Sequence, residues 1–193
     1  MATAHDFFAH FKAKMTPEEM MPLYRKGGSK FTEAVIKIIE EIINDKDVFG
    51  YDYGREYYRI DVSGWVDRKA KIAEDISHPD LEKHLWDLMI AVEHENDPND
   101  WTDELIKLAH VRCPIKVIIG YSPCDQREED EQRKLMCAAA WLKKLRVYDT
   151  LKEDELLLIL GNSSPKCKGL NYENFDYRGY LYNWEQEEFL PVD

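Results

Sequence analysis

The residues with the clearest capacity for chemistry are two carboxylates at the end of an apolar run. Residues 88–92 (LMIAV) are apolar without interruption, and Glu93, His94 and Glu95 follow directly. Side chains alternate between the faces of a strand, so Glu93 and Glu95 share one face and His94 takes the other. Neighbouring carboxylates repel unless a cation or a shared proton lies between them. The spacing predicts a divalent cation with oxygen ligands; the alternative is that Glu95 only opens a solvated turn.

The flanking sequence places this acidic pair in a strand–helix–strand unit. A turn over 97–100 leads into a helix over 101–111 that Asp100 or Thr102 could cap, and residues 113–121 form a second buried strand. This spacing favours parallel strands. Open α/β sheets place their sites at the carboxyl ends of parallel strands, which is where the pair would lie.

Asp61 is a third acidic candidate. Aromatic and β-branched residues around Gly54 predict a hairpin with strands over 47–53 and 56–66. Asp61 interrupts the second strand, and an Asp there is costly unless it reaches water, a donor or a cation. An excursion over 67–84 then separates this hairpin from the acidic pair.

The amino-terminal part of the chain predicts helices and a fourth acidic candidate. Short helices are expected over 4–14 and 17–25, followed by a helix over 30–44 that Ser29 could cap. Glu33 lies in the first turn of this third helix, where the helix dipole also favours a carboxylate.

The remainder of the chain predicts further α/β structure. A long helix is expected over 132–148 and a short buried strand over 156–160. Residues 180–189 are expected to form a final strand or an extended tail.

Composition predicts an acidic folded protein. The chain has 193 residues, 44% of them hydrophobic, and a net charge of −12, a sign that is unfavourable for binding phosphates. The four cysteines lack zinc-finger spacing, which predicts reduced thiols in a cytoplasmic protein. The segment MATAHDFFAHFKAKM is too charged for a signal peptide, and no run approaches the roughly 20 apolar residues that span a bilayer. No membrane association is expected.

With these residues in place, the chain resembles the PD-(D/E)XK nuclease-like superfamily. In that fold a helix precedes a three-stranded meander, the second strand supplies one acid, and the next strand bears an acid followed two positions later by Lys or sometimes Glu. Asp61 would match the first position, and Glu93 with Glu95 the E-x-E form of the second. The segment RKGGSKFTE is similar to the approach to the first helix in resolvase-like members, where a first-turn Glu, here Glu33, joins the site.

The resemblance covers about residues 25–121 and implies an α/β fold with a mixed central sheet flanked by helices. The whole chain, 1–193, would form a single domain. It would comprise a helical appendage (1–28), a nuclease-like core (29–121) and an extension of helix, strand and aromatic-rich sequence (122–193).

The resemblance also implies a role for each acid. Asp61 and Glu93 would hold Mg²⁺ or Mn²⁺ with Glu33 assisting, and Glu95 would bind the metal or orient and deprotonate the attacking water. Glu95 stands where the lysine is usual, and some members supply a lysine from the following helix, which makes Lys107 the candidate. The alternative for Lys107 is a solvated surface lysine.

Two functions follow. The first is a metal-dependent phosphodiesterase that hydrolyses nucleic acid through Asp61, Glu93, Glu95 and Lys107. The second is a non-catalytic interaction module, such as an immunity or inhibitor protein, whose negative surface meets a basic protein partner. The acidic constellation favours the first and the net charge of −12 the second.

Overall fold

A mixed β-sheet organises the chain. The computed structural model describes residues 2–68, 85–97, 100–122, 128–162 and 170–192. Within them seven strands form one sheet and lie side by side in sequence order. They are β1 (Asp52–Tyr57), β2 (Ile60–Arg68), β3 (Leu85–His94), β4 (Ile115–Tyr121), β5 (Glu155–Gly161), β6 (Tyr177–Asn183) and β7 (Glu188–Val192). The predicted α/β class with a mixed sheet is confirmed.

Parallel pairing is confined to the centre of the sheet. Strand β4 runs parallel to both β3 and β5, whereas β1–β2–β3 and β5–β6–β7 are antiparallel meanders. Every residue of β4 is buried, as expected for a strand covered on both faces. The predicted strand–helix–strand unit with parallel strands is therefore confirmed.

Helices cover both faces of the sheet. On one face α1–α3 share an apolar core with alternate residues of β2–β5, and on the other α4 and α5 form a second core. The five α-helices of the described residues are α1 (Ala4–Lys14), α2 (Pro17–Lys26), α3 (Gly28–Asn44), α4 (Trp101–Ala109) and α5 (Glu128–Leu142). No helix in these described ranges is long and apolar enough to cross a membrane.

Helix α1 packs within the core. Its first turn is closed by a capping box in which Thr3 Oγ1 accepts from the Asp6 backbone N–H and the Asp6 carboxylate accepts from the Thr3 N–H. Phe7, Phe8 and Phe11 are buried on its inner face. These three rings cover the sheet next to α3, whose long apolar stripe is buried beside them.

The hairpin between β1 and β2 turns at a different place from the predicted one. Gly54 lies inside β1 because the Trp65 ring packs over it, and a Cβ there would approach that ring to 3.0 Å. The chain reverses at Tyr58 and Arg59, both with positive φ. The sequence predicted a turn at Gly54 because glycine is common in turns. In the structure the glycine instead makes room for the Trp65 ring on the neighbouring strand.

Several element boundaries also differ from expectation. Helix α3 begins at Gly28 without a side-chain cap from Ser29, and Asp100 precedes α4 without a capping hydrogen bond. Helix α5 ends at Leu142, and a short 3₁₀ turn at Tyr148–Leu151 leads into β5. The strand or tail predicted over 180–189 is a hairpin of β6 and β7. Residues 69–84 of the predicted excursion lie outside the described residues.

Two of the four cysteines lie within the described residues. Cys113 is buried and Cys137 exposed, and both are unpaired thiols. The other two cysteines, at 124 and 167, lie outside the described residues.

Gly64→Ala is expected to lower the free energy of unfolding by about 1–3 kcal/mol, because strand β2 passes too close to α3 for a side chain. A Cβ at Gly64 would lie 2.6 Å from Ile43 Cγ2 and 2.7 Å from Ile90 Cγ2. Urea unfolding followed by circular dichroism measures the change. Ser63→Ala is the matched control, because its buried hydroxyl has no hydrogen-bond partner among the described residues. Equal stability of the two variants would contradict the close packing of α3 on β2.

Candidate active site

Asp61 and Glu93 face each other across two neighbouring strands. The antiparallel register pairs Val62 with Val92 and Ser63 with Ala91, so the next pair outward is Asp61 and Glu93. Asp61 Oδ2 accepts a hydrogen bond of 2.8 Å from the backbone N–H of His94. The donor that an Asp inside a strand requires is therefore the end of β3 itself.

Helix α4 brings Lys107 to this pair. Trp101, Leu105 and Leu108 are buried against the sheet and fix the helix in place. Lys107 Nζ then lies 2.7 Å from Glu93 Oε1. Lys107 is thus a partly buried ion-pair partner of the buried Glu93 rather than a freely solvated lysine.

The Lys107 ammonium also contacts two further groups. It pairs with Glu104 one turn earlier on α4, and it donates a hydrogen bond of 3.1 Å to the carbonyl oxygen of Arg59 in the β1–β2 turn. One cation therefore connects β3, α4 and the hairpin turn. We call Asp61, Glu93, Glu104 and Lys107 the acidic cluster.

Burial dominates the electrostatics of the acidic cluster. Desolvation, with a smaller contribution from Asp61, raises the pKa of Glu93 to about 8 against the opposing effect of Lys107. Desolvation also raises the pKa of Asp61, which the His94 hydrogen bond only partly offsets. Burial alone would lower the pKa of Lys107, but Glu104 and Glu93 outweigh it and the pKa is raised. The acidic cluster thus has three carboxyl groups around one ammonium, and Glu93 holds its proton at neutral pH.

Glu95 lies at the rim of this cluster and not among its ion pairs. It follows the last residue of β3, and its backbone N–H continues the ladder to the Ile119 carbonyl at 2.9 Å. Its Oε1 accepts a 2.6 Å hydrogen bond from the Asp97 N–H. One carboxylate oxygen therefore closes the turn after β3, as the alternative interpretation of Glu95 anticipated.

The structure does not bring Glu33 to the acidic cluster. Its carboxylate accepts hydrogen bonds of 2.9 and 3.1 Å from Arg55, which also pairs with the buried Glu40 of the same helix. In the β1–β2 ladder Arg55 lies opposite Val62, whose side chain is in the core on the α3 face of the sheet. Glu93 contacts Lys107 of α4 on the opposite face. The Arg55 guanidinium explains the position of Glu33 without a metal.

His94 points away from the acids, as strand alternation predicted. Its Nε2 lies 2.6 Å from the Tyr121 hydroxyl on the α3 face. Complete burial lowers the pKa of His94 to about 4. The imidazole is therefore a neutral core group at ordinary pH and has no place in the acidic cluster.

Glu104 is the member of the acidic cluster that sequence reasoning missed. It precedes Lys107 by one helical turn, so the two share a face of α4. That i, i+3 spacing was visible in the sequence once Lys107 was a candidate. Its interpretation required knowing which face of α4 meets β3.

The donor set suits a hard divalent cation bound largely by water and substrate. No group of three or more His, Cys, Asp or Glu side chains within the described ranges is arranged to hold a metal ion by itself. Mg²⁺ commonly binds through one or two carboxylates and keeps several waters or substrate oxygens. Asp61 and Glu93 supply two such carboxyl groups, and a bound cation would lower the raised pKa of both and favour their ionised form.

Comparisons with other proteins do not assign the chain to a family. No family model, curated protein or solved structure matches it. The inference about function therefore depends on the acidic cluster and on the elements that position it.

Proposed function

We propose that the protein is a metal-dependent phosphodiesterase that hydrolyses nucleic acid. The observation that carries this proposal is the convergence of Asp61 from β2, Glu93 from β3 and Lys107 from α4, with Lys107 Nζ 2.7 Å from Glu93 Oε1. A buried carboxyl group, a partly buried one and a lysine are groups that can support metal-assisted phosphodiester hydrolysis.

The order of elements supports a nuclease-like core. Helix α3 precedes the meander β1–β2–β3, and α4 then leads to β4, which is parallel to β3. This is the order that the resemblance to the PD-(D/E)XK superfamily implies. In it the second and third strands supply the acids, as Asp61 and Glu93 would here.

Each residue would have a distinct task. Asp61 and Glu93 would bind Mg²⁺ or Mn²⁺, and the ion would supply Lewis-acid activation of the scissile phosphate and of the attacking water. Lys107 would neutralise charge that develops on the phosphate, taking the place of the lysine that usually follows the second acid. Glu95, held by the Asp97 N–H at the rim, would orient the attacking water.

The acidic cluster also explains why the lysine can come from α4. Lys107 reaches Glu93 because α4 packs on the face of β3 from which Glu93 projects. A lysine at position 95 would lie at the end of β3, whereas Lys107 reaches Glu93 from the helix that packs on the face of the strand. The same charge is delivered to the same carboxylate from a different element.

Binding of Mn²⁺ is expected to raise the melting temperature (Tm) by roughly 5–11 °C at about 100-fold excess over its Kd, since only the folded chain aligns the two carboxylates. Asp61→Asn should abolish most of the rise, while an amide oxygen can still accept from the His94 N–H. Differential scanning fluorimetry in EDTA and in Mn²⁺ measures this, together with cleavage of a labelled oligonucleotide by the wild type. Glu33→Gln is the matched control, and its rise should equal that of the wild type. An unchanged rise in Asp61→Asn would contradict the proposed site.

The net charge favours a second candidate, a non-catalytic module that binds a basic protein. This function predicts a basic partner that co-purifies with the chain from its native host, with affinity that falls steeply as salt rises. It replaces the nuclease proposal if the wild type shows neither metal-dependent cleavage nor a metal-dependent Tm.

A further inference from the structure

A group of aromatic side chains on β1, β2 and β3 has no part in the roles proposed so far. Tyr57 lies with ring-centroid distances of 4.6 Å to Tyr58, 5.8 Å to Trp65 and 5.5 Å to Trp86, and the two tryptophans are 6.1 Å apart. We call these four residues the aromatic shelf. Tyr58 is 75% exposed although it contacts Tyr57. The outer side of the shelf therefore presents an aromatic ring to a ligand.

The backbone of the turn holds Tyr58 outward at a cost. Tyr58 and Arg59 have φ of 54° and 63°, and Glu56 before them also has φ of 54°. Two-residue hairpin turns of this kind favour Asn-Gly, because side chains other than those of Gly, Asn and Asp are disfavoured in left-handed backbone. Such strain persists where surrounding contacts enforce it, often at functional sites.

The acidic cluster contacts this turn. Lys107 Nζ donates to the Arg59 carbonyl at 3.1 Å and lies 2.7 Å from Glu93 Oε1. A single ammonium thus ties the turn that carries Tyr58 to the proposed metal ligand. The Tyr58 end of the aromatic shelf therefore adjoins the acidic cluster, whereas Trp86 lies at the start of β3 and Glu93 near its end.

A cleft of about 560 Å³ opens between the shelf and the end of α4, and Tyr58, Trp86, Asp87 and Arg112 are among the residues that line it. Its volume is in the range of small-molecule sites and admits one nucleotide. Arg112 is exposed at this cleft. The Asp87 carboxylate repels a phosphate group. The phosphate of a bound nucleotide would therefore lie at Arg112, and its base would lie in the interior of the cleft.

We propose that Tyr58 and Trp86 bind an unpaired nucleobase of the substrate by stacking, with Arg112 contacting its phosphate, so that the substrate contains single-stranded nucleic acid. This inference rests on the proposed nuclease function. A chain of net charge −12 gains little affinity from overall phosphate attraction. Stacking on aromatic rings does not depend on net charge, and the bases of a duplex present no free faces for it.

Binding of labelled single-stranded and duplex oligonucleotides, measured by fluorescence anisotropy in EDTA to prevent cleavage, tests the proposal. Tyr58→Ala should weaken single-strand binding about 10-fold, and Tyr58→Phe should restore affinity to within about twofold because the ring remains. Trp141→Ala is the matched control, since this tryptophan is 44% exposed on α5 and should not affect binding. Raising salt from about 50 to 200 mM should reduce wild-type affinity less than about 10-fold.

Equal affinity of Tyr58→Ala and the wild type, or duplex binding as tight as single-strand binding, would overturn the stacking site. Loss of a co-purified protein from Tyr58→Ala, with no oligonucleotide binding by the wild type, would overturn it in favour of a protein interface. Wild-type cleavage of bis(p-nitrophenyl) phosphate, which lacks a nucleobase, reports on the catalytic proposal separately. Cleavage without single-strand binding refutes only the stacking site, whereas Tyr58-dependent binding without any cleavage refutes only the nuclease.

Discussion

Glu93→Gln is expected to reduce metal-dependent cleavage by about 10³-fold and to stabilise the metal-free protein at pH 8. The loss of activity follows because an amide is a poor ligand for Mg²⁺ or Mn²⁺. The gain in stability follows because the glutamine cannot carry the buried negative charge that Glu93 acquires at alkaline pH. Glu104 still pairs with Lys107 in this variant, so the ammonium keeps a carboxylate partner.

The stability effect of Glu93 has a defined pH dependence. The pKa of Glu93 rises from the ordinary 4.5 to about 8 on folding, so the folded chain holds this proton more tightly than the unfolded chain does. The resulting stabilisation is fully present below pH 4.5 and is lost as pH rises through about 8. The difference between Glu93→Gln and the wild type should therefore be near zero at acid pH and on the order of 1–3 kcal/mol at pH 8.

Urea unfolding in EDTA at several pH values measures this difference, and cleavage of a labelled oligonucleotide in Mg²⁺ measures the activity. Glu173→Gln, at an exposed position, is the control for the removal of one negative charge. A constant stability difference from acid to alkaline pH would show that Glu93 is not the buried acid described here. Retained cleavage would remove it from the catalytic site.

Lys107→Met is expected to lower cleavage by about 10²-fold, because the proposed transition state loses its nearest protein cation. Methionine keeps most of the apolar part of the lysine side chain. Without the ammonium, the desolvated Glu93 would bind its proton still more tightly, so the remaining activity should have its pH optimum at more alkaline pH. Rates measured across a pH series test both effects.

The conservative variant separates charge from packing at this position. Lys107→Arg keeps a cation and should recover part of the activity and the wild-type pH optimum. Lys143→Met removes an exposed lysine that pairs with Glu187, and it should leave both unchanged. Equal activity of Lys107→Met and the wild type would mean that Lys107 only supports the hairpin turn through the Arg59 carbonyl.

Strand periodicity predicted much of the site because its signals are local. The apolar run before Glu93 and the spacing to the next strand were enough to place Glu93 on a buried strand parallel to β4, with His94 on the other face. Asp61 was identifiable because an acid inside an apolar strand needs a partner, which is the His94 N–H. These inferences need no knowledge of distant contacts.

The positions of Glu33 and Glu104 depend on contacts between elements, which single-sequence patterns do not report. Glu33 had the right place in a helix, but Arg55 of β1 holds its carboxylate on the α3 face. Glu104 had the right spacing to Lys107, yet only the packing of α4 on β3 shows that Lys107 reaches Glu93 while it pairs with Glu104. The turn at Tyr58 and Arg59 was missed because two residues other than Gly, Asn or Asp adopt its left-handed backbone, so the usual turn signal is absent.

The packing of α1 has a consequence for how the chain folds during synthesis. The Ala4 N–H donates to Glu155, 151 residues later, and the Phe8 ring packs so closely over Gly179 that a Cβ there would approach it to 2.8 Å. Helix α1 therefore completes its packing only after Glu155, 151 residues later, and Gly179 have been synthesised. Phe8 lacks its close contact until then, so slow maturation is expected for this topology.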